Sequence, residues 1–104
     1  MKHFVYFALT WIRGGMPSYP SEPMLKIGQT SNLKKRISSL DNWEHRIKMI
    51  HAMEFESKDG AVAIERALIK QFAPSIRYGR EWFKMTDQVI TFLNGMGIEY
   101  EKHL

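Results

Sequence analysis

Leu25-Lys26-Ile27-Gly28-Gln29-Thr30-Ser31-Asn32-Leu33-Lys34-Lys35-Arg36 compresses a strand, a turn and the start of a helix into one short stretch. Leu25 and Ile27 alternate as in a brief strand, and Gly28 permits a tight turn. Thr30, Ser31 or Asn32 can accept the first orphan N–H groups of a helix that runs to about Leu40. The apolar stripe of that helix is Leu33, Ile37 and Leu40, and its i+3 position is filled by Arg36. A guanidinium therefore points to the core side or its rim. Burying such a charge alone is costly, so Arg36 needs a carboxylate or a ligand anion. A cation fixed beside a glycine and a helix start points to phosphate chemistry.

A second helix repeats the anomaly with the opposite sign. Ser57-Lys58-Asp59-Gly60 reads as its start, and Ala61, Ile64, Leu68, Ile69 and Phe72 form its stripe until Ala73-Pro74 stops it. Glu65 lies inside this stripe, four residues after Ala61 and four before Ile69. Arg36 and Glu65 read either as a structural ion pair or as parts of one site. Buried ion pairs stabilise poorly, and inward charges near a glycine more often mark a site.

The remaining segments complete a small fold. Lys2 to Thr10 reads as a strand, Trp11 to Pro23 as a loop, and Met24 to Ile27 as the paired antiparallel strand. The loop contains Gly14-Gly15 and three prolines, and with Trp11, Arg13 and Tyr19 it is expected to contact nucleic acid or a partner. Lys48 to Glu56 reads as a third strand, with Met49, His51, Met53 and Phe55 on one face and Ile50 and Ala52 on the other. Arg80 to Met85 forms a short strand or turn. A last helix follows from about Thr86 to Asn94, ended by Gly95, and Ile98 to Glu101 reads as a terminal strand. The expectation is a single α/β domain of the α+β type over residues 1–104, a three-stranded antiparallel sheet flanked by helices.

Composition agrees with that size. At 104 residues and 44% hydrophobic, the chain can bury one core. It has no cysteine, which removes disulfides and thiolate zinc sites and suits a reducing cytoplasm. No apolar run reaches the ~20 residues needed to span a bilayer, and Met1-Lys2-His3 leads straight into a strand. A soluble cytoplasmic protein without membrane partners is expected. The net charge of +4 is uneven: residues 1–52 hold eight Lys/Arg against three Asp/Glu, residues 53–104 seven against eight. Lys34, Lys35, Arg46 and Lys48, with Trp43 among them, read as a patch contacting a nucleic-acid backbone without choosing sequence. His3, His45, His51 and His103 lack zinc-ligand spacing, and there is no P-loop, nucleophile elbow or dinucleotide fingerprint.

Val5-Tyr6, then Lys26-Ile27-Gly28, then Arg36, then Glu65-Arg66-Ala67-Leu68-Ile69-Lys70 with Pro74 behind it, form an ordered set. In that order and spacing the chain resembles the GIY-YIG nuclease superfamily over about residues 3 to 85. The resemblance implies DNA as partner and Mg²⁺ or Mn²⁺ as cofactor. It also implies roles: Tyr6 as the tyrosine of the first half-motif, Gly28 as the glycine of the second, Arg36 as the helix arginine, and Glu65 as the metal-binding glutamate. Three departures stand out. Residues of the His3-Phe4-Val5 run replace the leading glycine pair, Lys26 stands where most members carry a second tyrosine, and Arg77 lies near the usual asparagine. Lys-Ile-Gly together with Glu81-Trp82-Phe83 is similar to a small phage-type branch of that superfamily.

These residue types suit phosphodiester hydrolysis. One carboxylate suffices for a hydrated Mg²⁺, and a guanidinium fork grips non-bridging oxygens. Tyr6 would orient or activate water if a cation lowers its phenol from the ordinary value of about 10, and Lys26 is the neighbouring cation. In so short a chain sequence specificity is expected to be low, or to be supplied by a partner protein or by self-association. The alternative is a catalytically inactive module of the same fold that binds nucleic acid or protein.

Overall fold

Strand β1 (His3–Ile12) reads HFVYFALTWI, almost without a polar residue, because it is an interior strand of the sheet and covered on both faces. Val5, Tyr6, Phe7, Ala8 and Leu9 are all fully buried. The structure, a computed structural model, describes residues 2–12, 23–40, 45–78 and 82–103. In chain order β1 is followed by β2 (Met24–Thr30), α1 (Leu33–Leu40), β3 (His45–Phe55) and α2 (Lys58–Gln71). A short 3₁₀ turn, Ala73–Ser75, leads to β4 (Ile76–Tyr78), β5 (Trp82–Lys84) and α3 (Asp87–Gly95).

The α+β class holds, but among the described residues the antiparallel sheet has five strands rather than three, in the order β3-β1-β2-β5-β4. Strand β5 falls within the Arg80–Met85 stretch read as a short strand or turn, whereas β4, three residues long, carries too little alternation to be read from pattern. They are held by pairing, Leu25 with Phe83 and Ile76 with Phe83.

Alternation along β1 divides the interior in two. Val5 and Phe7 face a core with Leu25, Ile27, Ala61 and Leu68 of α2, and Val89 and Leu93 of α3. Phe72 anchors that side edge-on to Phe92, with ring centroids 5.0 Å apart. Tyr6 and Ala8 face the other way, with Ile47, and are packed by Leu33, Ile37 and Leu40 of α1 and by Trp82. The helices α1 and α2 thus cover opposite faces, and the stripes read from sequence supply both contacts.

Helix starts follow their caps. The Asn32 side chain accepts from Lys35 N at 3.0 Å, Ser57 Oγ from Gly60 N at 3.4 Å, and Thr86 Oγ1 from Val89 N at 3.5 Å. Thr86 also shares a 2.6 Å hydroxyl hydrogen bond with Ser75, tying the 3₁₀ turn to α3.

Several sequence expectations are corrected. Strand β2 runs through Gly28 to Thr30, so Gly28 lies inside a strand and the turn begins at Ser31. Strand β3 starts at His45 and carries a bulge: Phe7 pairs with His51 and Ala8 with Met49, leaving Ile50 as the extra residue. The bulge moves Met49 to the Ala8 side, away from His51, Met53 and Phe55, while Ile50 packs against the Val5–Phe7 core. Ile64 is 39% exposed despite its place in the stripe of α2, where Ala61, Leu68 and Phe72 make the buried contacts. The terminal strand is absent from the described residues. Gly97 turns at φ +80, Ile98 N bonds back to Leu93 O at 2.8 Å, and Tyr100–His103 forms a 3₁₀ turn. Of the expected loop, Trp11 and Ile12 belong to β1, and its Gly14-Gly15 part lies outside the described residues. No helix of the described residues is long and apolar enough to cross a membrane.

Candidate active site

Tyr6 and Gly28 face each other directly across β1 and β2, and the phenol ring lies over the glycine. A Cβ at position 28 would come within 2.7 Å of Tyr6 Cε1 and closer still to Cζ and Oη. No L side chain fits there, so glycine at 28 is required by the close approach of Tyr6 and not by a turn. On the other side Tyr6 pairs with Ala52, again a small neighbour. The two half-motifs read from sequence therefore meet as one structural unit, a tyrosine lying across a glycine.

The same face holds Lys26. It pairs with Ala8 of β1 and with Trp82 of β5, so its side chain leaves the sheet on the side of Tyr6, Ala8 and Trp82. Lys26 is only 2% exposed, and its Nζ stands 5.1 Å from the centre of the Trp82 ring. A cation over an indole face in a desolvated setting gains about 2 kcal/mol, which offsets part of the cost of burying the ammonium. A lone strand lysine would be expected in solvent; this one is inside.

Arg36 closes the face from above. Its helix rests on the sheet through Leu33, Ile37 and Leu40, which leaves position 36 on the rim and the residue exposed rather than inward. Its Nε donates to Tyr6 Oη at 3.5 Å, at the long limit for such a bond. Tyr6 is 0% exposed, so its hydroxyl lies beneath the guanidinium. Beside Arg36 an open pocket of about 390 Å³ is lined by Thr30, Ser31, Asn32, Lys35 and Ser39. Two cationic side chains and the start of α1 give that pocket a positive character.

Glu65 is half-buried on α2, the helix covering the opposite face, one turn beyond Ala61 and one before Leu68. Among the described residues no three His, Cys, Asp or Glu gather as a metal cage. A single carboxylate fits Mg²⁺, which keeps several waters and takes few protein ligands, better than it fits zinc. Of the expected nucleic-acid patch, Lys34 and Lys35 are exposed on α1 and Lys48 is exposed on β3. Arg46 belongs to β3 by its backbone, and Trp43 lies outside the described residues.

Trp82 is the one member of this face whose place sequence reasoning missed. The Glu-Trp-Phe run signalled a motif, but only the pairing of β5 with β2 brings the indole to Lys26. His51 and His3 stay away from it: His51 rests against Phe7 on the far face, ring centres 5.9 Å apart, and His3 hydrogen-bonds Gln29.

No curated protein and no solved structure matches the chain. The model of one family, the T5orf172 domain, matches residues 3–95, which span all five strands and all three helices. The chain belongs to the T5orf172 domain family, a phage-associated domain in a nuclease-like, DNA-related context.

Proposed function

We propose that this chain is a metal-dependent endonuclease of the GIY-YIG type that hydrolyses phosphodiester bonds of DNA. The observation that carries the reading is the packing of Tyr6 across Gly28 beneath Arg36, with Lys26 on the same face. Arg36 takes a non-bridging oxygen of the scissile phosphate in its guanidinium fork. In turning to the phosphate it leaves the Tyr6 oxygen, which, once its own proton has passed to solvent, is the phenolate that orients the attacking water and accepts its proton. Lys26 places a positive charge near the phenol and favours negative charge on its oxygen. Glu65 stands on the helix that covers the other face of the sheet; there it would hold a hydrated Mg²⁺ or Mn²⁺, whose Lewis-acid charge would reach the phosphoryl and leaving oxygens only around the edge of the sheet. Exposed Lys34 and Lys35 on α1 contact the backbone beside Arg36 and give affinity without sequence choice; Lys48 pairs with Leu9 and belongs to the other face of the sheet. Sequence choice then comes from a targeting protein or from self-association.

The complete burial of Tyr6 favours a second reading, a catalytically inactive module that binds nucleic acid or protein through the Arg36 pocket. The two readings part on Glu65→Gln, which keeps the shape of the side chain and removes its charge. The nuclease reading expects wild-type nicking of plasmid DNA in Mg²⁺ or Mn²⁺ to fall by at least about 100-fold in the variant, with unchanged thermal unfolding. Equal nicking by both proteins contradicts a metal role for Glu65, and DNA binding without nicking by either supports the inactive module.

A further inference from the structure

We infer that Trp82 is a positioning residue that holds the Lys26 ammonium beside Tyr6. The inference rests on the nuclease reading above. Lys26 and Trp82 are direct partners across β2 and β5, and the ammonium sits 5.1 Å from the ring centre. Trp82 is half-buried and packs against the Tyr6, Ala8 and Ile47 cluster, so its ring is braced by the face that it serves. The partner of Tyr6 is Gly28, two residues along β2 from Lys26, which places the lysine diagonal to the tyrosine on one face.

The chemistry of the contact matters as much as its position. Lys26 is almost wholly buried, and a buried ammonium needs compensation. A carboxylate at the Trp82 position would compensate it by cancelling its charge. An aromatic face stabilises the cation through the ring quadrupole and leaves the net positive charge in place. Among the contacts that hold Lys26, the one with Trp82 therefore fixes the ammonium in place without drawing on its charge. Trp82 belongs to the second half of the chain, outside both tyrosine–glycine half-motifs, and enters the site only through the three-residue strand β5.

The test uses the full chain and two variants, Trp82→Phe and Trp82→Leu, with Lys26→Met as a background. Proton NMR of the Lys26 ε-methylene group reads the contact without any activity. Its resonance is expected upfield in the wild type and in Trp82→Phe, and at the ordinary lysine position in Trp82→Leu. In single-turnover DNA cleavage with Mg²⁺, Trp82→Leu is expected to lower the rate constant by about 10-fold at unchanged half-saturation, while Trp82→Phe recovers most of it. In Lys26→Met the leucine substitution is expected to cost nothing further. A full rate in Trp82→Leu, or an equal loss on both backgrounds, overturns the positioning role. An absent upfield shift in a cleaving wild type overturns the contact and the positioning role with it, and leaves the nuclease reading standing. A wild type that shows the shift but never cleaves brings down the nuclease reading, and the positioning role with it.

Discussion

Gly28→Ala is expected to be the most damaging small substitution in the chain. The new methyl group would lie within 2.7 Å of the Tyr6 ring, and that ring is fully buried between Gly28, Ala52 and the underside of α1. Neither neighbour yields cheaply: position 28 is strand backbone paired to β1, and the phenol is a rigid plane packed on both sides. Overpacking of this kind costs roughly 2–3 kcal/mol, which lowers the melting temperature of a domain this size by on the order of 10–20 °C. Because the displaced group is Tyr6, cleavage is expected to fall further than stability. Thermal unfolding followed by circular dichroism checks the first effect. The double variant Gly28→Ala/Tyr6→Leu checks its cause, since removing the ring should return part of the lost stability. A melting temperature within a few degrees of wild type in Gly28→Ala would show that the tyrosine does not lie across the glycine.

Arg36→Ala is expected to have the converse effect, a large loss of activity at little cost to the fold. Arg36 is exposed, and its 3.5 Å contact with Tyr6 is long, so unfolding should shift by no more than about 0.5–1 kcal/mol. Loss of a charged donor aimed at the phosphoryl oxygens costs roughly 10²–10³ in rate. Arg36→Lys is expected to recover only part of it, because an ammonium lacks the planar fork that engages two oxygens. Single-turnover cleavage of an end-labelled duplex separates the two effects. A wild-type rate in Arg36→Ala would assign the residue to helix solubility alone.

The helices were legible because their signals are local. Ser57 and Thr86 cap where a capping residue precedes an apolar stripe, and Leu33, Ile37 and Leu40 pack as their spacing implies. An interior strand of the sheet was legible from the apolar run of β1. The rest depended on long-range pairing. Strand β4 is three residues long, and the bulge at Ile50 breaks the alternation that would have assigned Met49 to its face. Gly28 was legible as a special position but for the wrong reason. A glycine in sequence suggests a turn, and only the register of β1 against β2 reveals a ring passing over it. Arg36 lies at the rim, one of the two places its spacing allowed, whereas a strand lysine read alone belongs in solvent and Lys26 is inside. Trp82 is a core-type residue in any local reading, and its meeting with Lys26 is a property of the β2–β5 pairing.

The Tyr6 hydroxyl stands at the centre of the account, and Tyr6→Phe isolates it. Phenylalanine keeps the ring across Gly28 and removes only the oxygen beneath Arg36, so the fold should persist with about 1 kcal/mol lost at most. The decisive measurement is conversion of supercoiled plasmid to nicked and linear forms in Mg²⁺ by wild type and Tyr6→Phe purified in parallel, each repeated with chelator. The account predicts metal-dependent conversion by the wild type and a rate lower by on the order of 10²–10⁴ in Tyr6→Phe, the range that a positioned acid–base group contributes. Equal conversion by the two proteins would contradict it, leaving Tyr6 as a packing residue and the chemistry of this face elsewhere.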